Sequence, residues 1–149
     1  MRKLLMCAAL AFLAAGCNSD NNANPNDPSQ VNIEFTTTDL VVGSGAQAAT
    51  GNRVTVNYTG WLYNQAGVES KGTQFDSSVQ AGRTPLEFVI GGSNIIPGFQ
   101  QGVVGMRIGG KRRVYMPSNL AYGSSGSQDG RIPPNAALVF ELDLLTLVQ

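Results

Sequence analysis

One stretch of this chain constrains the rest: Ile95-Ile96-Pro97-Gly98-Phe99, followed by a helix-compatible run from Gln100 to Met106. Pro97 suits the first turn of a helix, because its fixed φ matches that turn and its missing N–H would have no partner there. The run is expected to stop at Gly109-Gly110. Beyond the first thirty residues everything else reads as strand and turn. A short helix in a β chain can bury its apolar stripe only against a sheet. The expectation is therefore a sheet curling over one helix, with Ile95 to Phe99 as the floor of an apolar pocket.

The strands follow from alternation. Phe35 to Val42 is rich in β-formers and ends at the turn Gly43-Ser44-Gly45. Arg53 to Tyr63 places Val54, Val56 and Tyr58 on one face and Thr55, Asn57 and Thr59 on the other, the pattern of a half-buried strand. Gly60 inside it marks a bulge or a close backbone approach. Asn64 to Thr73 is polar and reads as a loop; Gln74 to Ser78 is a short strand running into a turn, and Val79 to Thr84 another loop. Pro85 to Ile90 alternates again, with Leu86, Phe88 and Ile90 on one face. Lys111 to Met116 is a strand that begins with three cations, read as a solvated edge that resists further pairing. Ser118 to Asn135 is a long loop, and such loops in compact domains are more often functional than not. Ala136 to Val148 closes the chain, with Leu138, Phe140, Leu142 and Leu144 on one face. The expected class is α+β, a five- to six-stranded antiparallel sheet curled around one short helix.

Composition removes several chemistries. There is no histidine, and the two cysteines, Cys7 and Cys17, both precede the folded part. His-based triads, His general acid–base work, cysteine nucleophiles, disulfides and Cys or His metal sites are thereby excluded from the domain. No metal and no cofactor are expected. The net charge is zero, and without Arg2 and Lys3 eight basic residues face ten acidic ones. No basic footprint for nucleic acid remains.

The N-terminus has its own logic. Met1-Arg2-Lys3 is a short positive segment, Leu4 to Leu13 an apolar run too short to span a bilayer, and small residues follow. The ending Leu13-Ala14-Ala15-Gly16-Cys17 resembles the bacterial lipobox, which implies cleavage before Cys17 and lipid attachment to it. Asn18 to Gln30 carries no large apolar residue and reads as a flexible tether. The expected organisation is a signal peptide over 1–16, a lipidated Cys17 and tether over 17–30, and one domain over 31–149. Asn18 after the lipid-bearing cysteine resembles export to the periplasmic side of an outer membrane.

Five motifs then occur in order: Val56-Asn57-Tyr58-Thr59-Gly60, Phe75-Asp76-Ser77-Ser78, Ile95-Ile96-Pro97-Gly98-Phe99, Ala121-Tyr122-Gly123 and Ile132-Pro133-Pro134-Asn135-Ala136-Ala137-Leu138-Val139-Phe140. Together they resemble the FKBP family of peptidyl-prolyl isomerases over about residues 36 to 148. The resemblance implies a pocket between sheet and helix that takes proline-containing polypeptides, with macrolide inhibitors as further ligands, in a monomer. It implies catalytic positions at Tyr58, Asp76 and Tyr122. It implies substrate-binding positions at Phe75, Leu86, Phe88, Ile95, Ile96, Phe99, Ile132 and Phe140. The chain departs from the family in four places, one of them the loop from Asn64 to Thr73, which is longer than in the shortest members. Leu86 stands where many members carry an aromatic. A histidine common in the loop after Tyr122-Gly123 is missing. Arg131 stands where an aliphatic precedes Ile132 in many members.

The residue types suit the implied chemistry. Rotation about a peptide bond faces a barrier of about 18–20 kcal/mol from C–N double-bond character, and no covalent bond breaks. No nucleophile or general base is required. A twisted amide is less polar than a planar one, so a dry apolar cavity favours it. Asp76 would act through a hydrogen bond to Tyr58 or on the twisting carbonyl. Each motif alone has a plainer reading: an aromatic cluster as core, Asp76-Ser77-Ser78 as a turn or helix cap. An isomerase of exported proteins is the leading function. A binding module of the same fold with little turnover is the alternative, and a purely structural envelope protein is disfavoured.

Overall fold

The computed structural model describes residues 31–149. The expected leader, Cys17 and the tether lie outside the described residues. Six strands and one α-helix follow in the order β1 (Thr36–Val41), β2 (Arg53–Tyr63), β3 (Lys71–Ser77), β4 (Leu86–Val89), α1 (Pro97–Val103), β5 (Lys111–Met116) and β6 (Leu138–Val148). The sheet is antiparallel throughout, in the order β1-β5-β6-β2-β3, with β4 also pairing with β2. β2 is the organiser. One edge pairs with β6 from Arg53 to Leu62, while the other pairs with β4 over Arg53–Val56 and with β3 over Thr59–Tyr63. Between those two partners, both main-chain groups of Tyr58 bond Ser78: its N–H donates to the Ser78 side-chain Oγ at 2.9 Å and its carbonyl accepts the Ser78 N–H at 2.9 Å.

The alternation of β6 is fully used, since Leu138, Phe140, Leu142 and Leu144 are all buried against α1 and β2. Gly60 has both properties expected of it. The β2–β3 register shifts there, and a Cβ would lie 2.6 Å from Phe75 Cζ and 2.7 Å from Phe140 Cε1. A side chain at this position would push two pocket aromatics apart.

Three expectations need correction. The helix ends at Val103, not beyond Met106. Two adjacent β-branched residues disfavour its continuation, and Gly105 takes a left-handed φ of +81° that turns the chain toward Ala48. The freed carbonyls of Gly102 and Val104 are taken by Arg112 Nη1 at 3.0 and 2.9 Å. Second, the loop expected over Asn64–Thr73 is shorter, because β3 already begins at Lys71. Third, β5 is not a solvated edge, since it lies between β1 and β6. Arg112 pairs with Asp39 at 2.5 Å, while Arg113 bonds Glu69 at 2.6 Å and Glu141 at 2.8 Å. Those partners come from distant loops and strands, which strand periodicity does not reveal.

Candidate active site

The concave side of the sheet and the start of α1 enclose a cleft of about 220 Å³. Its floor is Phe99, placed by the first turn of α1 and only 3% exposed. Three rings meet Phe99 edge-on: Phe140 from β6 at 5.4 Å, Tyr58 from β2 at 5.7 Å and Phe88 from β4 at 5.7 Å. Phe75 from β3 packs edge-on against Phe140 at 5.5 Å. Edge-to-face pairs satisfy the ring quadrupoles and fix each ring's tilt, so the floor is rigid as well as apolar.

Of the side chains expected at the site, Tyr58, Phe75, Asp76, Leu86, Ile95, Ile96, Phe99, Tyr122 and Phe140 line this one cleft. Phe88 and Ile132 do not. Phe88 lies behind Phe99, and Ile132 is 4% exposed within the core. Asn94 lines the cleft without having been anticipated. Its only signal is its position immediately before Ile95-Ile96.

The polar rim is ordered around Asp76. Tyr58 Oη donates to Asp76 Oδ2 at 2.6 Å, the Ser77 N–H donates to Oδ1 at 2.9 Å, and Arg83 Nη2 reaches Oδ1 at 2.5 Å. Arg83 was invisible to sequence reading, being one cation in a loop seven residues on. Ser77 is the last residue of β3 and Ser78 opens the bend that follows, so the motif runs from strand into turn. Both are buried at the end of β3, where Ser77 Oγ meets Thr59 Oγ1 at 2.9 Å and Ser78 Oγ meets Asn57 Oδ1 at 2.9 Å. They lock β3 to β2 beside Asp76.

Burial, and then the neighbouring Asp76 carboxylate, push the Tyr58 hydroxyl up to about 12. Burial first, then the charges of Asp76 and Asp129, also raise Tyr122 above the ordinary phenol value. Both phenols therefore keep their protons at neutral pH and act as donors. The cleft offers an apolar floor, two O–H groups and one carboxylate at its mouth. Its volume of about 220 Å³ suits a compact ring with its flanking carbonyls.

Comparison with known proteins gives a consistent picture. A model of the family described as FKBP-type peptidyl-prolyl cis-trans isomerase matches residues 44–145. The chain is 43% identical over 111 residues to the FK506-binding protein of Neisseria meningitidis serogroup B, covering 74% of this chain and 94% of that one. It is 38% identical over 144 residues to FK506-binding protein 2 of Dictyostelium discoideum, covering 96% and 97%. Among solved structures, the peptidyl-prolyl cis-trans isomerase of Pseudomonas syringae pv. tomato superposes with a TM-score of 0.62 at 33% identity, over 77% of this chain and 76% of that one. FkpA from Escherichia coli superposes with a TM-score of 0.63 at 34% identity, over 76% of this chain and 47% of that one.

Proposed function

Because the chain belongs to the FKBP-type peptidyl-prolyl cis-trans isomerases, and so catalyses rotation about X–Pro bonds, we propose that the cleft over Phe99 is where it does so. The observation that carries this reading is the convergence of Tyr58, Phe75, Asp76, Phe99, Tyr122 and Phe140 on one cavity from five separate parts of the chain. The proline ring sits on Phe99, between Tyr58, Phe75 and Phe140. Leu86, Ile95 and Ile96 contact the flanking backbone. Phe88 and Ile132 support these walls from behind.

Rotation is accelerated by what the cleft withholds. In water the planar amide is favoured by solvation of its polar C–N–C=O unit. In the dry cleft that advantage falls away, and the twisted, less conjugated amide gains relative to it. Tyr122 Oη donates to a carbonyl of the bound peptide. Asp76 holds Tyr58 in place and keeps a negative charge near the twisting bond. No proton has to be transferred, which is consistent with two phenols that stay protonated.

The natural substrates are proline-containing segments of exported polypeptides. This rests on the resemblance of Leu13 to Cys17 to a lipobox and on the apolar leader before it. Lipid on Cys17 and the polar tether after it would hold the domain at the periplasmic face of an outer membrane, each buried CH₂ of the acyl chains contributing about 0.8 kcal/mol. The relatives' name, FK506-binding protein, supports a macrolide as a second ligand of the same cleft. Fractionation of cells expressing the full chain tests the location. X–Pro isomerase activity is expected in the membrane fraction, and Cys17→Ser is expected to move both protein and activity to the soluble fraction. A Cys17→Ser protein that stays with the membrane contradicts the anchor.

A further inference from the structure

The loop from Pro117 to Ala137 carries Tyr122 to the cleft and is anchored in the core by Ile132, Ala136 and Ala137. Its tip is built from short polar bonds. The Ser127 N–H donates to the Ile132 carbonyl at 2.9 Å, and the Ile132 N–H returns to Ser127 Oγ at 2.9 Å. Asp129 collects three donors: Ser127 Oγ at 2.6 Å, the Arg131 N–H at 3.1 Å and Arg131 Nε at 2.5 Å. The Ser127 hydroxyl first, then the Arg131 backbone and guanidinium, hold the Asp129 carboxyl down to about 2, so it is a fixed anion at neutral pH.

Arg131, oriented by that anion, reaches out of the loop. Its Nη1 donates to the Phe75 carbonyl at 2.9 Å, across 56 residues of sequence. Phe75 lies on β3 and lines the cleft together with Tyr122. Among the described residues this is the one hydrogen bond joining residues 117–135 to β3. The guanidinium also lies near enough to Asp76, Tyr58 and Tyr122 to exchange charge effects with each.

We propose that Arg131 is a positioning residue: by tying the Tyr122 loop to the Phe75 carbonyl it sets the width of the cleft mouth and holds it ready for substrate. The proposal rests on the assignment of catalysis to this cleft. Its physical content is preorganisation. A loop that closes only part of the time lowers apparent affinity by the fraction closed. The rotation step, which occurs after closure, keeps its rate, so the effect falls on KM and not on kcat.

The test compares full-length wild type with Arg131→Met and Arg131→Lys, using cis-to-trans conversion of a short X–Pro peptide. Arg131→Met keeps the stem and removes the donors; a charge-assisted bond at a half-exposed site predicts a KM rise of about three- to tenfold, with kcat within about twofold. Arg131→Lys restores a donor and should recover most of the lost affinity. Thermal unfolding of both variants should match wild type, because the side chain is 58% exposed. A wild-type KM in Arg131→Met overturns the proposal, as does a Lys variant no better than the Met variant or a loss confined to kcat. Absence of activity in wild type would instead strike the assignment of the cleft, which is a separate failure.

Discussion

Asp76 holds three groups with one carboxylate: the Tyr58 hydroxyl, the Ser77 amide and the Arg83 guanidinium. Asp76→Ala removes the acceptor that orients Tyr58 and the one anion at the cleft mouth. A hydrogen bond to a charged group contributes ~1.5–3 kcal/mol, so kcat/KM should fall by about tenfold or more. The fold should survive, because Asp76 sits at the rim and the core beneath it is aromatic. Unchanged turnover with an intact unfolding transition would remove Asp76 from the mechanism. At this scale the sequence was uneven in what it disclosed. Tyr58, Phe99 and Phe140 were legible because strand alternation and the helix start aim them inward, and Phe75 through its motif with Asp76. Arg83 and Arg131 were not legible as site residues. A cation in a loop has no period, and its partner is decided by a fold that brings distant segments together.

At the level of elements, α1 depends on two glycines that let it approach β5. A Cβ on Gly98 would lie 2.6 Å from Met116 Cγ and Sδ, and one on Gly102 would lie 2.7 Å from Val114 Cγ2. Gly→Ala in a helix ordinarily gains up to ~1 kcal/mol, whereas overpacking a close contact costs about 1–3 kcal/mol. Val114 is fully buried and stiff at χ1, so overpacking should win at Gly102. Met116 is flexible and can give way, so Gly98→Ala should be the milder change. Thermal unfolding of the two variants checks this order; a Gly102→Ala protein as stable as wild type would contradict it. The bounds of β2 were readable from alternation, those of β5 from Gly110 and Pro117 on either side, and the start of α1 from Pro97. The end of α1 was not. It is set by Gly105 turning toward Ala48 and by Arg112 taking the last carbonyls. Both are tertiary contacts. The basic run of β5 misled for the same reason: its counter-ions, Asp39, Glu69 and Glu141, come from three separate elements.

The whole molecule is a sheet in which β2, the strand with three partners, passes along one edge from β4 to β3 at Tyr58 and opens a cleft where the pairing changes. The helix floors that cleft, and a long loop, held by Arg131, closes its side. This architecture was legible because one helix among alternating strands leaves few ways to bury both, and because five motifs fall in family order. The tie across the cleft was not legible, since nothing in the sequence pairs residue 131 with residue 75. The most direct test of the whole account is the cis-to-trans conversion of a short X–Pro peptide by the purified protein, with and without a macrolide inhibitor. Uncatalysed conversion takes tens to hundreds of seconds, so catalysis is easily seen above it. Rapid conversion is expected, and it should be abolished when the macrolide fills the cleft over Phe99. Conversion that persists at saturating macrolide would place catalysis elsewhere, and a folded protein that binds the macrolide without accelerating conversion would make this a binding module.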